Sequence, residues 1–166
     1  MNLVIPRFLL DWRIGLFALG FGAALFAAWC APERQLRRHQ AALMDAFGDR
    51  DFKKVERLVA PDYADRWKFD RERLIRESRE VLRHFIALEV ACAVGELRVD
   101  GRRATVEARI RLEGTGSPVA RMAMDAVNAL DGPFAFEWRR ENLPWKWRLA
   151  SADHPQLKVP EASGLF

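Results

Sequence analysis

The chain is poor in the side chains on which most enzyme chemistry depends. It holds two cysteines, three histidines and one tyrosine in 166 residues. Cys30 closes an apolar run and Cys92 sits in an alternating stretch, each without a second Cys or a His at metal-ligand spacing. A disulfide framework and a zinc site are therefore not expected, and Cys92 reads as a small buried hydrophobe. The sequence has no phosphate-cradling glycine loop, no nucleophile elbow and no internal repeat. It implies no cofactor and no metal. Excess charge is also scarce: the net value is +4, spread along the chain, unlike the dense basic field of a nucleic-acid-binding surface.

What the chain does have is apolar mass. Half of the residues are hydrophobic and 30% are charged, enough for one domain with a true core. Part of that mass is the uncharged run IGLFALGFGAALFAAWC, residues 14–30. As a helix it would span about 25 Å, just short of a hydrocarbon layer of ~30 Å. Trp12 and Trp29 stand near its ends, where amphipathic rings settle in membranes. It reads as a retained anchor, a cleaved signal segment or a buried helix. A leader containing Asp11, the length of the run and the bulk of Trp29 favour the anchor. The expectation is a single-pass protein of a bacterial inner membrane, with residues 14–30 as its membrane contact and the following domain in the periplasm.

From Pro32 the pattern turns polar and helical. Leu36, Gln40, Leu43 and Phe47 recur at three- and four-residue steps. Gly48 ends this helix, Asp49 or Asp51 caps the next, and Pro61 stops it. Asp70 is the expected cap of a third helix, whose stripe is Leu74, Ile75, Ser78, Val81 and Leu82. Its Arg and Glu residues form a solvated, ion-paired face.

After Phe85 the period becomes two. Ile86, Leu88, Val90, Cys92 and Val94 alternate, and a slip near Gly95 predicts a bulge. Residues 100–102 turn the chain into a second strand through Leu112. Residues 119–130 are assigned to a third strand, and two more follow the turns at 131–133 and 142–144. The last pair lies in FAFEWRRENLPWKWRL, where rings occupy one side of each strand and charges the other. A half-buried antiparallel sheet produces this alternation, whereas a nucleic-acid surface would carry rings and cations together. Nucleic acid is not an expected partner.

Helices over residues 35–60 and 70–85, followed by a meander over 86–150, resemble the NTF2-like superfamily of cone-shaped α+β domains, with FGDRDFKKVERLVAPDY at 47–63 similar to the family's opening. The resemblance implies an α+β fold with three helices packed on a curved antiparallel sheet. The domain division expected is an anchor over 1–31, an NTF2-like domain over 32–152 and an irregular tail over 153–166. The resemblance further implies a cone that is filled, binds a ligand or carries acid–base groups, and a sheet that pairs with a second copy or another protein.

The residues offer these candidates. His84, with Asp125 as its polar partner, is a weak catalytic pair. His39 and His154 are the remaining histidines, the latter in SADHPQL. Tyr63, Trp67, Asn128, Trp138, Trp145 and Trp147 could line a ligand cavity or fill it. Arg139, Arg140, Lys146 and Arg148 form a basic surface stripe. The function expected is a membrane-anchored, non-catalytic binding or assembly module. The alternative is a small-molecule binder or an enzyme that uses the interior of the cone.

Overall fold

The computed structural model describes residues 31–143 and 145–157. Three helices come first: α1 (Pro32–Gly48), α2 (Phe52–Leu58) and α3 (Arg71–Leu82). A hairpin of long strands follows, β1 (Phe85–Asp100) and β2 (Arg103–Gly116), then α4 (Pro118–Asn128), β3 (Phe134–Arg140) and β4 (Trp147–Asp153). The sheet is antiparallel in the order β1-β2-β3-β4.

Local signals set these boundaries. Pro32 stands in the first turn of α1, where a missing N–H costs nothing. Asp51 and Asp70 cap α2 and α3, their carboxylates accepting from Lys54 N and Arg73 N, which satisfies amides that the helix itself leaves open. Gly101 turns the hairpin at φ +56°, a conformation that costs glycine nothing. The register of β1 against β2 shifts between Val94 and Leu97, at the bulge expected around Gly95.

The core lies between α1 and the sheet. Leu36 and Leu43 of α1 and Val106 of β2 are fully buried, and each such side chain contributes about 1.5–3 kcal/mol. The same face of α1 carries two buried glutamines. Gln40 Oε1 accepts from Trp138 Nε1 at 3.0 Å and Gln35 Oε1 accepts from Trp147 Nε1 at 3.2 Å. Both indoles are about 1% exposed, so their N–H groups need such partners.

Two expectations require correction. Residues 118–128 are a helix, not the third strand placed at 119–130. Ser117 and Pro118 start it: the serine Oγ accepts from Ala120 N, and proline occupies the first turn. Ala120, Ala123 and Val127 fall three and four residues apart on its inward side, although they have mixed parity in a strand. Among the described residues there are accordingly four helices on an open four-stranded sheet, in place of three helices on a curved sheet closing a cone. The second correction concerns the membrane. The expected anchor over residues 14–30 lies outside the described residues, among which no helix is long and apolar enough to cross a membrane. Nothing among the described residues supports the transmembrane helix, the membrane as a partner, the inner-membrane and periplasmic placement or the membrane-anchored module.

Candidate functional site

A cavity of about 280 Å³ opens between the helices and the inner face of the sheet. Leu43, Met44 and Phe47 of α1 form one side. The sheet supplies Val90, Ile110, Phe134, Phe136 and Leu149, and α4 closes a flank with Ala123 and Val127. Next to the α4 flank the chain passes closely at Gly116. A Cβ there would lie 2.4 Å from His84 O and 2.7 Å from Ala120 Cβ. Only glycine lets β2 run this tightly into α4.

The cavity also explains why α3 buries none of its residues fully, despite its clear apolar stripe. Leu74, Val81 and Leu82 front the open space, so they touch fewer atoms than a packed helix face would. Val81 remains 42% exposed at the rim.

Two aromatic residues bring polar ends to the wall, and both ends are engaged. Tyr63 is 2% exposed, and its hydroxyl donates to Asp65 Oδ2 at 3.0 Å. Burial, and then the neighbouring Asp65 charge, push the phenol far above its ordinary range, so it stays neutral. The other oxygen of Asp65 accepts from Trp67 N and Phe69 N, each at 2.9 Å, which fixes the loop after α2. Trp67 Nε1 donates to Leu157 O at 2.8 Å. That bond holds the turn after β4 against the cavity, with Leu157 in the wall.

Of the sequence candidates for the cavity, Tyr63 and Trp67 line it. Trp138 and Trp147 lie in the packed core against α1. Trp145 is 52% exposed in the turn before β4. Asn128 ends α4 with its side-chain amide on the backbone of Leu112. The structure does not gather His84 and Asp125 in the cavity. His84 Nδ1 lies 3.3 Å from Ser117 Oγ, and Asp125 is exposed on α4.

The basic stripe is largely neutralised from within. Register places Arg103, Arg139 and Arg148 opposite one another on β2, β3 and β4, an unfavourable row on its own. Asp62 pairs with Arg139, and its carboxyl is held below the usual range by that hydrogen bond. Glu141 holds Lys146 and Arg148, each at 2.7 Å. Arg140 lies over the ring of Trp147, 5.7 Å from its centroid.

One residue near the cavity was marked in the sequence only by its neighbour. His154 is fully buried beside Phe134, with ring centroids 4.6 Å apart. Its position after the last strand in SADHPQL looked like a tail. The proline that follows is the signal that could have marked a structured turn.

Comparison with solved structures places this arrangement. A conserved protein from Planctomyces limnophilus superposes with a TM-score of 0.60 at 16% identity, covering 74% of this chain and 93% of that one. An NTF2-like family protein from Streptomyces avermitilis gives 0.55 at 16% identity, covering 73% and 93%. The described chain has the NTF2-like fold. The Kfla4162 protein of Kribbella flavida is similar to the same extent, at 0.55 and 15% identity over 72% and 86%. No family model and no curated protein sequence matches the chain. At these identities the likeness establishes the NTF2-like fold alone.

Proposed function

We propose that this NTF2-like domain binds a small apolar molecule in its interior cavity. The observation that carries the reading is the cavity itself: about 280 Å³ with an almost wholly hydrocarbon wall. That volume is near the lower end of ligand pockets, which run from about 300 to 1,000 Å³. An apolar occupant would recover the contacts that Val81, Leu82 and Val90 lack in the open state. Binding fits the wall better than turnover does. Tyr63 is the ionisable side chain in the wall, and its hydroxyl is already bonded to Asp65. A general acid or base needs a free proton or lone pair within reach of the substrate.

The test is a cavity-filling substitution. Naphthalene binding to the full chain, followed by calorimetry, is expected for the wild type. Ala123→Phe, on the flank formed by α4, is expected to abolish it without lowering the melting temperature. A wild-type protein that fails to bind naphthalene, or a variant that binds as well as the wild type, would overturn the reading.

A further inference from the structure

We infer that His154 is the polar anchor of this cavity, and that the ligand is a neutral, apolar compound carrying a hydrogen-bond acceptor such as a carbonyl oxygen. The inference rests on reading the cavity as a binding site and specifies what enters it.

The first support is the state of the imidazole. His154 is 0% exposed. Its Nδ1 accepts from the backbone N–H of Gln156 at 3.2 Å. An accepting Nδ1 places the proton of the neutral ring on Nε2. That Nε2–H is buried and has no partner. Buried donors are almost always satisfied, and one that is not calls for a specific explanation.

The second support is position. The ring packs on Phe134, and Phe134, Ala152 and Leu157 all line the cavity. These are the residue whose ring is tilted against the imidazole, the residue two before it and the residue three after it. The imidazole does not line the cavity itself but touches Phe134, which does. Leu157 also belongs to the turn that carries His154, closed by Leu157 N donating to His154 O at 3.3 Å. A rotation of Phe134 or Leu157 is what would open Nε2 to an occupant. The other polar ends at this wall are committed, Tyr63 to Asp65 and Trp67 to Leu157.

Three other buried nitrogens also lack a well-aligned hydrogen bond: Arg71 Nε, His84 Nε2 and Arg148 Nε, the last ion-paired with Glu141 Oε1 at 2.7 Å. The two guanidinium groups belong to surface ion pairs with Glu56 and Glu141. His84 is only partly buried, in the turn between α3 and β1. His154 alone among them is fully enclosed and backed onto the cavity.

The chemistry of the ligand follows. A single neutral donor behind hydrocarbon walls recognises an acceptor. A carboxylate or ammonium would lose its hydration for one hydrogen bond, which is unfavourable. Ketones, aldehydes and esters of small apolar skeletons fit.

The test compares two molecules of one shape, acetophenone and α-methylstyrene, in which a carbonyl oxygen replaces a methylene. Binding to the full chain is measured by calorimetry for the wild type, His154→Phe and His154→Gln. His154→Phe is expected to weaken acetophenone about tenfold while leaving α-methylstyrene within about twofold. His154→Gln keeps a donor and is expected to retain part of the acetophenone affinity. In the wild type, the Nε2 resonance of His154 is expected to shift with acetophenone and not with α-methylstyrene, a readout that stands even if a variant fails to fold. Equal weakening of both ligands, or an unmoved Nε2 resonance with acetophenone bound, would overturn the inference and leave the binding reading intact. Binding of neither molecule by the wild type would overturn both.

Discussion

Asn128 holds the backbone of Leu112 with both ends of its side-chain amide. Its Nδ2 donates to Leu112 O at 2.8 Å and its Oδ1 accepts from Leu112 N at 2.9 Å. This is the pair of bonds that a neighbouring strand would supply, and it falls where β2 has run past the end of β3. The β2–β3 pairing stops at Ala108 against Phe134. The last residue of α4 thus takes over one rung of the ladder. Asn128→Ala is expected to lower stability by about 1 kcal/mol in urea unfolding, both groups being near solvent. Asn128→Asp should cost more, because a carboxylate then faces the Leu112 carbonyl. An Asp variant as stable as the wild type would contradict this.

The Trp138–Gln40 contact makes a sharper prediction because both residues are buried. Trp138→Phe removes the indole N–H and strands Gln40 Oε1, whose residue is 0% exposed. A loss of about 3 kcal/mol is expected, combining lost packing with an orphaned acceptor. Adding Gln40→Met should return about 1 kcal/mol or more, since it removes the orphan. A double-mutant cycle in urea checks this, and strict additivity of two losses would count against it.

Trp67→Phe should loosen the turn after β4. The Leu157 carbonyl loses its donor, and the bond closing that side of the cavity disappears. Faster amide exchange at His154 to Leu157, with the rates of β2 unchanged, is the expected pattern in hydrogen exchange. Uniform acceleration across the domain would instead mean that Trp67 acts on global stability.

Glu141 predicts a pH dependence. The hydrogen bond from Lys146, followed by the charge of Arg148, holds its carboxyl below the ordinary glutamate range. A depressed folded-state value means that the contribution is complete above the unfolded-state pKa. It fades as pH falls through the folded value. Glu141→Gln should therefore be less stable than the wild type near neutrality, with the gap closing in acid. The group lies at the surface, about 30% exposed, and the effect is small, so a carboxyl titration by NMR is the direct check. A midpoint at or above the usual value would refute it.

Much of the scaffold was legible in the sequence because it is written in local chemistry. Asp70 marked one helix start and the pair Asp49 and Asp51 bracketed another, Gly95 marked the bulge, and the alternation from Phe134 to Leu149 marked strands. Residues 119–130 were misread for a physical reason. In a short, nearly uncharged segment, parity carries little information, and Ser117-Pro118 was the stronger signal. That neither side of the supposed strand was polar is itself the mark of a wrong period. The site was less legible than the scaffold. A side chain such as Val90 or Ile110 has the same composition and spacing whether it meets another side chain or a void. His154 was hidden in another way, since its burial depends on Phe134, twenty residues earlier in the chain.

The uneven reach of the strands has a mechanical consequence. Where all four strands overlap, the Trp138 and Trp147 indoles are bolted to α1. Beyond Ala108 the hairpin of β1 and β2 stands without β3, held by α4 with its Asn128 rung on one strand and by the end of α1 on the other, where Arg50 Nη2 donates to Phe85 O at 2.6 Å. The protein is a cantilever: clamped by strand pairing and two indoles at the tryptophan end, held by helices without β3 at the end that borders the cavity. Swelling to admit a guest would strain the free end and leave the clamp at rest.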